Sequence, residues 1–236
     1  MNDKVAIIGS GLIGSSWATL FISHGYRVSL YDISTDQLDK SYALINDNLN
    51  KLKAGQKCVM SVRSFLLQEK KLLDKCVEEC LQLITKTTDL KEALDGAFYA
   101  QESTCESLDF KKKVFKQLEE LSAPTCILAS STSTIPASKF TEELQHRERC
   151  LVAHPVNPPL FLKLVELVPA PWTSKTTMEE SKKLMQNIGQ EPVSLTKEVV
   201  GFAVNRIQFA ILSEAWRLVE DDVMSAEDVD KVIMWL

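Results

Sequence analysis

Three glycines near the start of the chain have the spacing of a phosphate-binding loop. Gly9, Gly11 and Gly14 form G-x-G-x-x-G between a short apolar run, residues 5–8, and a helical pattern. The first glycine permits a tight turn, the second lets the backbone approach a pyrophosphate, and the third lets the helix pack on the strand. Free amides at the start of that helix would bind the phosphates of a dinucleotide.

An acidic residue follows at the distance expected for a contact with the ribose of such a cofactor. Asp32 lies 18 residues after Gly14, where a second predicted strand, residues 27–31, ends. A carboxylate at this position binds ribose hydroxyls and repels the additional phosphate of NADP, so the predicted cofactor is NAD. The alternative interpretation is that Asp32 is the N-cap of a helix that begins near Ser34.

Polar residues in the middle of the chain could perform acid–base chemistry. His154 ends a predicted strand, Glu166 interrupts the apolar run 164–168, and the hydroxyl-rich run 130–134 follows another strand. A histidine oriented by a carboxylate is a common general base near neutral pH. Taken singly, His154 could be a hydrogen-bonded loop residue and Glu166 a solvent-facing strand residue, so their pairing is a hypothesis.

Strands and helices alternate along the part of the chain that would position these groups. Further strands are predicted at residues 97–101, 125–129, 150–153 and 164–168, and further helices at residues 107–121 and 173–188. Such alternation favours a Rossmann-type α/β fold with a doubly wound parallel sheet. Sheets of this kind bind ligands at the carboxyl ends of their strands, where the polar residues above are expected.

Residues 34–83 depart from the alternation. They are charged and mostly helical in pattern, with Gly55 as their only glycine, so they predict a helical hairpin that turns at Gly55. This length is unusual for a crossover in a nucleotide-binding sheet, and we expect an arm that projects from it.

The end of the chain predicts a second, all-helical domain. Residues 202–219 form one apolar-striped helical pattern, and Ser225 with Asp228 predicts a capping box that opens another helix. We therefore place the Rossmann-type domain at residues 1–198 and the start of a helical domain at residues 199–236. The latter is too short to form an independent core.

Composition and charge exclude several classes of protein. The chain has 236 residues, a net charge of −5 and no block of five or more like charges, so no nucleic-acid or anionic-membrane surface is expected. It has no apolar stretch of roughly 18 residues and no signal-peptide pattern, so we predict a cytoplasmic protein. Six cysteines occur without a C-x-x-C pair or a nearby histidine. Reduced thiols and no metal are therefore expected.

Four motifs in the same order make the chain similar to a known family. GSGLIGSSWA, SSTST, HPVNPP with LVELVP, and GFAVNRI resemble the 3-hydroxyacyl-CoA dehydrogenase superfamily over about residues 4–232. HPVNPP followed by LVELVP, and SEAWRLVE at residues 213–220, resemble its lambda-crystallin-like branch of L-gulonate 3-dehydrogenases. The resemblance implies an NAD-dependent oxidoreductase that oxidises the 3-hydroxyl of a small hydroxy acid, L-gulonate, to 3-dehydro-L-gulonate.

The resemblance also implies roles for individual residues. His154 corresponds to the catalytic histidine and Glu166 to the glutamate paired with it. Ser133 corresponds to a serine that hydrogen-bonds the substrate oxygen, and Asn205 to an asparagine that helps hold the reacting carbonyl or hydroxyl. The residues implied at the cofactor edge and in the pyrophosphate loop are Glu106, Lys111, Leu12 and Ile13.

The chain departs from the family's pattern after Val232. The family continues with several more helices, which cover the substrate and form most of a homodimer contact, whereas only residues 233–236 follow here. A short isoform or truncated product is the expected explanation. A homodimer is expected for the full-length family, and this chain would lose most of the contact.

Two other functions are compatible with the same residues. A 3-hydroxyacyl-CoA substrate would need cations for its phosphates, and Lys57, Lys70 and Lys71 on the arm could supply them or simply belong to a charged helix. The third hypothesis is a non-catalytic, NAD-binding, crystallin-like protein. The presence of all four catalytic residues argues against it, and the absent helices argue for it.

Overall fold

The structure is a computed structural model that describes residues 3–54 and 76–235. Its strands are Lys4–Ile8 (β1), Arg27–Tyr31 (β2), Ile84–Thr87 (β3), Tyr99–Glu102 (β4), Ile127–Ser130 (β5), Cys150–Pro155 (β6), Leu164–Pro169 (β7) and Glu191–Ser194 (β8). Within the described ranges they form one sheet in the order β3-β2-β1-β4-β5-β6-β7-β8. Neighbouring strands are parallel except β6 and β7, which are antiparallel.

Helices lie between the strands along the chain and after the last of them. Their bounds are Leu12–Ser23 (α1), Thr35–Lys53 (α2), Val77–Leu81 (α3), Leu90–Leu94 (α4), Leu108–Leu121 (α5), Ser138–Thr141 (α6), Lys175–Asn187 (α7), Val204–Glu220 (α8) and Ala226–Trp235 (α9). The predicted strands at 27–31, 150–153 and 164–168 and the helices at 107–121 and 173–188 are present, with ends shifted by a few residues.

Both faces of the sheet are buried, as a doubly wound fold requires. Side chains alternate between the faces of a strand, and in β1 the apolar side chains at 5 and 7 pack in one cluster with Trp17 and Phe21. Those at 6 and 8 pack in a second cluster with Phe115. The three aromatic side chains are 0% exposed, and each such burial contributes about 1.5–3 kcal/mol to folding. The predicted Rossmann-type fold is confirmed.

The antiparallel pair β6–β7 is the one departure from a parallel sheet. Eight residues, 156–163, connect the two strands, and a parallel crossover needs a dozen or more. The chain must therefore turn back directly. As a consequence, His154 and Glu166 lie opposite each other in the register of the pair.

The region predicted as a helical hairpin is only partly described. The first helix of this region, α2, ends at Lys53. Its side chains Leu38, Ile45 and Leu49 are buried in the core, so α2 packs against the core and does not project from the sheet. Gly55, with Lys57, Lys70 and Lys71, lies outside the described residues. The helical region predicted to run to residue 83 is too long at its C-terminal end, because α3 ends at Leu81 and β3 begins at Ile84.

The helix predicted over residues 202–219 begins two residues later, at Val204. No residue of α8 is buried, and its apolar side chains face solvent, Trp216 at 74% and Phe209 at 67% exposure. The predicted N-cap of the next helix is present, since the Ser225 hydroxyl accepts a hydrogen bond from the Asp228 amide (3.1 Å).

Burial determines the reactivity of the cysteine thiols, and the length and polarity of a helix determine whether it could cross a membrane. Burial raises the pKa of the Cys126 and Cys150 thiols to about 12, so neither is a reactive thiolate near neutral pH. Among the described residues, no cluster of three or more histidine, cysteine or acidic side chains could hold a metal ion. No described helix is long and apolar enough to cross a membrane.

The exposure of α8 predicts that its side chains stabilise association rather than the fold. Trp216→Lys should change the free energy of unfolding in urea by less than about 0.5 kcal/mol, because the side chain has little packing to lose. The same change should reduce self-association in sedimentation velocity, since it interrupts an exposed apolar surface. Phe21→Ala is the control, with an expected loss of about 3–5 kcal/mol. A loss above about 2 kcal/mol for Trp216→Lys would contradict the prediction.

Candidate active site

The site lies where β1 and β4 are neighbours. The strand order reverses direction along the chain at this point, which is where doubly wound sheets bind ligands. Gly9 follows β1 and Ser103 follows β4, and the Ser103 amide donates a hydrogen bond to the Ile8 carbonyl (2.7 Å). A Cβ atom on Gly9 would lie 2.8 Å from the Ser103 carbonyl oxygen, and Gly9 has a φ of +95°. Only glycine fits there without strain.

The other two glycines of the loop fit a dinucleotide for different reasons. A Cβ atom on Gly14 would lie 1.9 Å from the Gly9 carbonyl oxygen, so Gly14 permits α1 to pack against the turn. Gly11 is the N-cap of α1 and has no atom within 4 Å of a Cβ position, which leaves the approach to the helix amides open. Leu12 is 58% exposed beside it, and Ile13 lines a cavity. The amides in the first turn of a helix lack partners within it and suit a pyrophosphate.

Asp32 lies at the end of β2 and contacts the glycine loop. One carboxylate oxygen accepts hydrogen bonds from the Ser10 amide and hydroxyl, both at 2.9 Å, and the other accepts from the Ser34 amide (3.2 Å). The N-cap of α2 is Ser34, whose hydroxyl accepts from the Gln37 amide. The alternative interpretation of Asp32 as that N-cap is therefore wrong. A half-buried carboxylate beside the loop is suited to bind ribose hydroxyls.

His154 and Glu166 form a buried pair between β6 and β7. Nδ1 of His154 lies 2.8 Å from Oε2 of Glu166, and the two side chains are 9% and 0% exposed. The carboxylate can only accept, so Nδ1 carries a hydrogen, and in the neutral imidazole Nε2 is the nitrogen with the lone pair. Both alternative interpretations, a loop histidine and a solvent-facing glutamate, are wrong, because the antiparallel register places the residues opposite each other.

The second oxygen of Glu166 is held by the start of α8. Oε1 accepts hydrogen bonds from the amides of Ala203 (2.7 Å) and Val204 (2.9 Å). Burial raises the pKa of the Glu166 carboxyl, but the hydrogen bonds from His154 and from the two amides outweigh it, so the pKa lies below its ordinary value. The charge is therefore retained inside the protein near neutral pH.

A left-handed backbone turn directs those two amides at Glu166. Gly201 has a φ of +76° and Phe202 a φ of +49°. The second value is unusual for a bulky residue, and the surrounding contacts stabilise it: Phe202 is 0% exposed and its ring centroid lies 5.7 Å from that of His154. The sequence offered no signal for this role of Phe202, which was expected to belong to the helix.

A cavity of about 290 Å³ brings together residues from both halves of the site. It is lined by Ile13, Ser103, Thr104, Glu106, Lys111, Ser131, Ser133, His154, Pro155 and Asn157. Asn205 is half-buried, and its side-chain amide donates to the Ser133 carbonyl (2.7 Å). Ile13 of the glycine loop, Ser133 and His154 therefore share one cavity with Glu106 and Lys111. The other predicted site residues, with Asp32, Glu166 and Asn205 among them, do not line it.

The predicted pair Glu106 and Lys111 is organised by a buried acid that sequence reasoning missed. Lys111 Nζ lies 2.9 Å from Glu102 Oε2 and 3.6 Å from Glu106 Oε2. Glu102 is 0% exposed and also accepts hydrogen bonds from Thr104 and Ser130. Glu106 accepts from the Ser133 amide (3.2 Å) and from the Thr132 hydroxyl. The only signal for Glu102 was an acid at the end of a buried strand.

A second, larger groove of about 680 Å³ lies elsewhere, lined by residues 169–179 and 194–198 in part. It contains none of the predicted site residues. Its volume does not make it the better candidate, because neither the glycine loop nor the His154–Glu166 pair lines it.

Comparison with known proteins assigns the chain to a family. Residues 4–199 match the family model of the 3-hydroxyacyl-CoA dehydrogenase NAD-binding domain, and residues 201–235 match that of the C-terminal domain. The chain belongs to the 3-hydroxyacyl-CoA dehydrogenase family, NAD-dependent oxidoreductases that act on CH–OH groups.

Individual relatives and a solved structure agree with the family assignment. The chain is 44% identical over 229 residues to the lambda-crystallin homolog of Bos taurus. The aligned region covers 97% of this chain and 67% of that protein. It is 31% identical over 228 residues to the L-carnitine dehydrogenase of Staphylococcus epidermidis, over 97% of this chain and 65% of that protein. The crystal structure of 3-hydroxybutyryl-CoA dehydrogenase from Escherichia coli K12 matches with a TM-score of 0.81 and 32% identity, over 94% of this chain and 44% of that one.

The glycine loop predicts different outcomes for two identical changes. Gly14→Ala should lower the free energy of unfolding by about 3 kcal/mol or more, because the new methyl collides with a backbone carbonyl. Gly11→Ala should alter it by less than about 1 kcal/mol, yet weaken NAD binding more than about tenfold by occupying the approach to the helix amides. Urea unfolding and calorimetric titration with NAD measure the two effects. Unaltered NAD affinity in a folded Gly11→Ala variant would contradict the assignment of the loop.

The lowered pKa of Glu166 predicts a pH-dependent contribution to stability. Because the folded pKa lies below the ordinary 4.5, the contribution is fully present above that value and is lost as the pH falls through the folded pKa. Glu166→Gln should therefore cost about 1–3 kcal/mol at pH 7, since its single acceptor oxygen can serve either His154 or the two backbone amides, but not both. The deficit should shrink in urea unfolding below pH 4.5.

The matched control is Glu214→Gln. Glu214 forms an exposed ion pair with Arg217 (3.2 Å), and such pairs contribute little. A deficit of Glu166→Gln that stayed constant between pH 7 and pH 3 would show that the charge is not its source.

Proposed function

We propose that this chain oxidises the 3-hydroxyl of a small hydroxy acid with NAD, and that the acid is L-gulonate. The observation that carries the proposal is the His154–Glu166 pair at 2.8 Å, whose histidine lines a cavity together with Ile13 of the glycine loop. A general base therefore shares the cavity with residues suited to hold the cofactor. The hydroxyl-rich run adds Ser133 to the same cavity.

Acid–base chemistry is the part of the reaction that the chain's own residues perform. Nε2 of His154 takes the proton of the substrate hydroxyl, and Glu166 stabilises the imidazolium that results. Help of this kind is typically worth about 10²–10⁴-fold in rate. The glycine loop, Asp32, Glu106 and Lys111 would hold NAD, which would supply the acceptor for the hydride that leaves the carbon. Ser133 and Asn205 bind and orient the reacting oxygen.

The substrate class follows from what related proteins act on. The relatives named as 3-hydroxyacyl-CoA and L-carnitine dehydrogenases act on alcohols whose hydroxyl is on carbon 3 of an acid or acid derivative, and L-gulonate offers the same group. The 44% identity to the lambda-crystallin homolog supports the free sugar acid. A 3-hydroxyacyl-CoA is the second candidate, favoured by the wider family.

Formation of NADH by the purified chain distinguishes the candidates. L-gulonate and a short 3-hydroxyacyl-CoA are offered separately with NAD, and the absorbance of NADH is followed. We expect preferential turnover of L-gulonate. Preferential turnover of the CoA thioester would move the assignment to that substrate. Tight NAD binding without turnover of either would instead support a non-catalytic NAD-binding protein.

The role of His154 predicts a separation of binding from chemistry. His154→Ala should leave the calorimetric affinity for NAD within about twofold and lower kcat by at least about 10², because the general base is lost while the glycine loop is intact. Far-UV circular dichroism checks the fold. Wild-type turnover by the variant would refute the catalytic role.

The position of Asp32 predicts the preference between cofactors. Asp32→Ser should lower the ratio of NAD to NADP affinity, because the carboxylate no longer binds the ribose hydroxyls or repels a phosphate. Titration with both cofactors measures the ratio. Asp36→Ser, an exposed acid in the first turn of α2, is the control. A ratio unchanged in Asp32→Ser would remove Asp32 from the cofactor site.

The assembly state stays a prediction. Helix α8 exposes apolar side chains, Trp216 and Phe209 among them. We propose that this surface forms a homodimer contact. This part of the proposal rests on the family resemblance and on exposure alone.

A further inference from the structure

A network of polar side chains extends from the core to the cavity and centres on Ser131, which is half-buried and lines the cavity. Its hydroxyl oxygen lies 3.1 Å from the Trp17 indole nitrogen, 2.7 Å from the Gln101 amide nitrogen and 2.9 Å from the Ser103 hydroxyl oxygen. Trp17 and Gln101 are 0% exposed, whereas Ser103 is half-buried and lines the cavity. The network therefore connects the core with the site.

The direction of each hydrogen bond in this network can be worked out from the groups involved. An indole N–H can only donate. The side-chain oxygen of Gln101 accepts from the Tyr99 hydroxyl (2.9 Å), so its NH₂ group faces Ser131 and also donates to the Ala153 carbonyl (3.3 Å). A hydroxyl has two acceptor sites and one hydrogen. Because Trp17 and Gln101 fill both acceptor sites of Ser131, the Ser131 hydrogen goes to Ser103.

Ser103 is thereby left with a hydrogen that its neighbours in the network do not accept. Two other hydroxyls of the cavity differ in this respect: Thr104 donates to Glu102, and Ser131 donates to Ser103. Ser103 already accepts from Ser131, so a ligand in the cavity meets it chiefly as a donor. An oxygen without a hydrogen of its own, as in a carbonyl or carboxylate, is the matching partner.

We propose that Ser103 is a ligand-binding residue that donates a hydrogen bond to such an oxygen, and that Trp17, Gln101 and Ser131 position it. The inference rests on the proposed function, which supplies two oxygens of this chemistry, the carboxamide of the nicotinamide and the carboxylate of the hydroxy acid. A donor fixed by this network orients its ligand more strictly than a freely rotating hydroxyl, because the reverse arrangement leaves Trp17 or Gln101 without an acceptor.

Calorimetric titration of the whole chain with NAD and with thionicotinamide adenine dinucleotide tests the proposal. The second cofactor has sulfur in place of the carboxamide oxygen and accepts hydrogen bonds weakly. Ser103→Ala should weaken NAD binding about three- to tenfold and binding of the thio cofactor by less than about twofold. Ser23→Ala is the matched control, since the Ser23 hydroxyl donates to the Leu20 carbonyl near the other end of α1.

The same variants distinguish the two sources of the oxygen. Unchanged NAD affinity with a KM for L-gulonate raised about three- to tenfold, at unchanged kcat, would assign the hydrogen bond to the substrate. If Ser103→Ala leaves both the NAD affinity and the KM for L-gulonate unchanged, and the wild-type chain binds NAD, the inference is overturned and the proposed function is intact. A wild-type chain that binds no NAD would overturn both.

The positioning residues need a readout that a loss of stability does not move. Ser131→Ala removes the acceptor for Trp17 and Gln101 and should lower the melting temperature. It should also reduce the ratio of NAD affinity to thio-cofactor affinity towards that of Ser103→Ala, because Ser103 is no longer oriented. A lower melting temperature with the wild-type ratio would restrict Ser131 to a structural role and overturn the positioning part of the proposal.

Discussion

The buried carboxylate of Glu166 is the constraint on which the arrangement of the site depends. An ionised carboxylate inside a protein costs several kcal/mol unless its oxygens are paired. Here one oxygen pairs with His154 and the other with the amides of Ala203 and Val204. Because these partners lie on β6 and at the start of α8, the charge is stable only when the strand pair and the helix are both in place. The general base and the boundary between the two family domains are thus one structural unit.

Glu102 solves the same problem in another part of the site. Its carboxylate is 0% exposed and is compensated by Lys111, Thr104 and Ser130. These partners come from α5, from the loop after β4 and from β5, so the charge joins three elements. Lys111 then lies 3.6 Å from Glu106, the half-exposed acid of the cavity. In both cases a buried acid does not touch the ligand space but determines which neighbours line it.

The sequence predicted those site features whose chemistry demands particular residue types. The glycine loop and Asp32 were identified in this way, whereas the pairing of His154 with Glu166 was a hypothesis that the family resemblance supported. Glu102 and Phe202 were not, because a buried acid is recognised only through its spatial partners and a left-handed phenylalanine leaves no local pattern. The strand β3 was missed for a related reason: its two central residues are exposed and polar, so it lacks the apolar run that indicates a buried strand. Local composition carries the chemistry, whereas the partners that stabilise it come from distant parts of the chain.

The first turn of α8 connects this exposed helix to the general base. A helix of 17 residues without a buried side chain has little tertiary packing, which is the main source of helix stability in proteins. Its first turn nevertheless provides the two amides that hold Glu166, and Asn205 in that turn contacts the Ser133 carbonyl. Fraying from the exposed end is tolerable, but loss of the first turn would remove the partners of a buried charge and release His154 from its orientation. Any contact that covers the apolar face of α8 therefore also stabilises the general base, even though it lies outside the cavity.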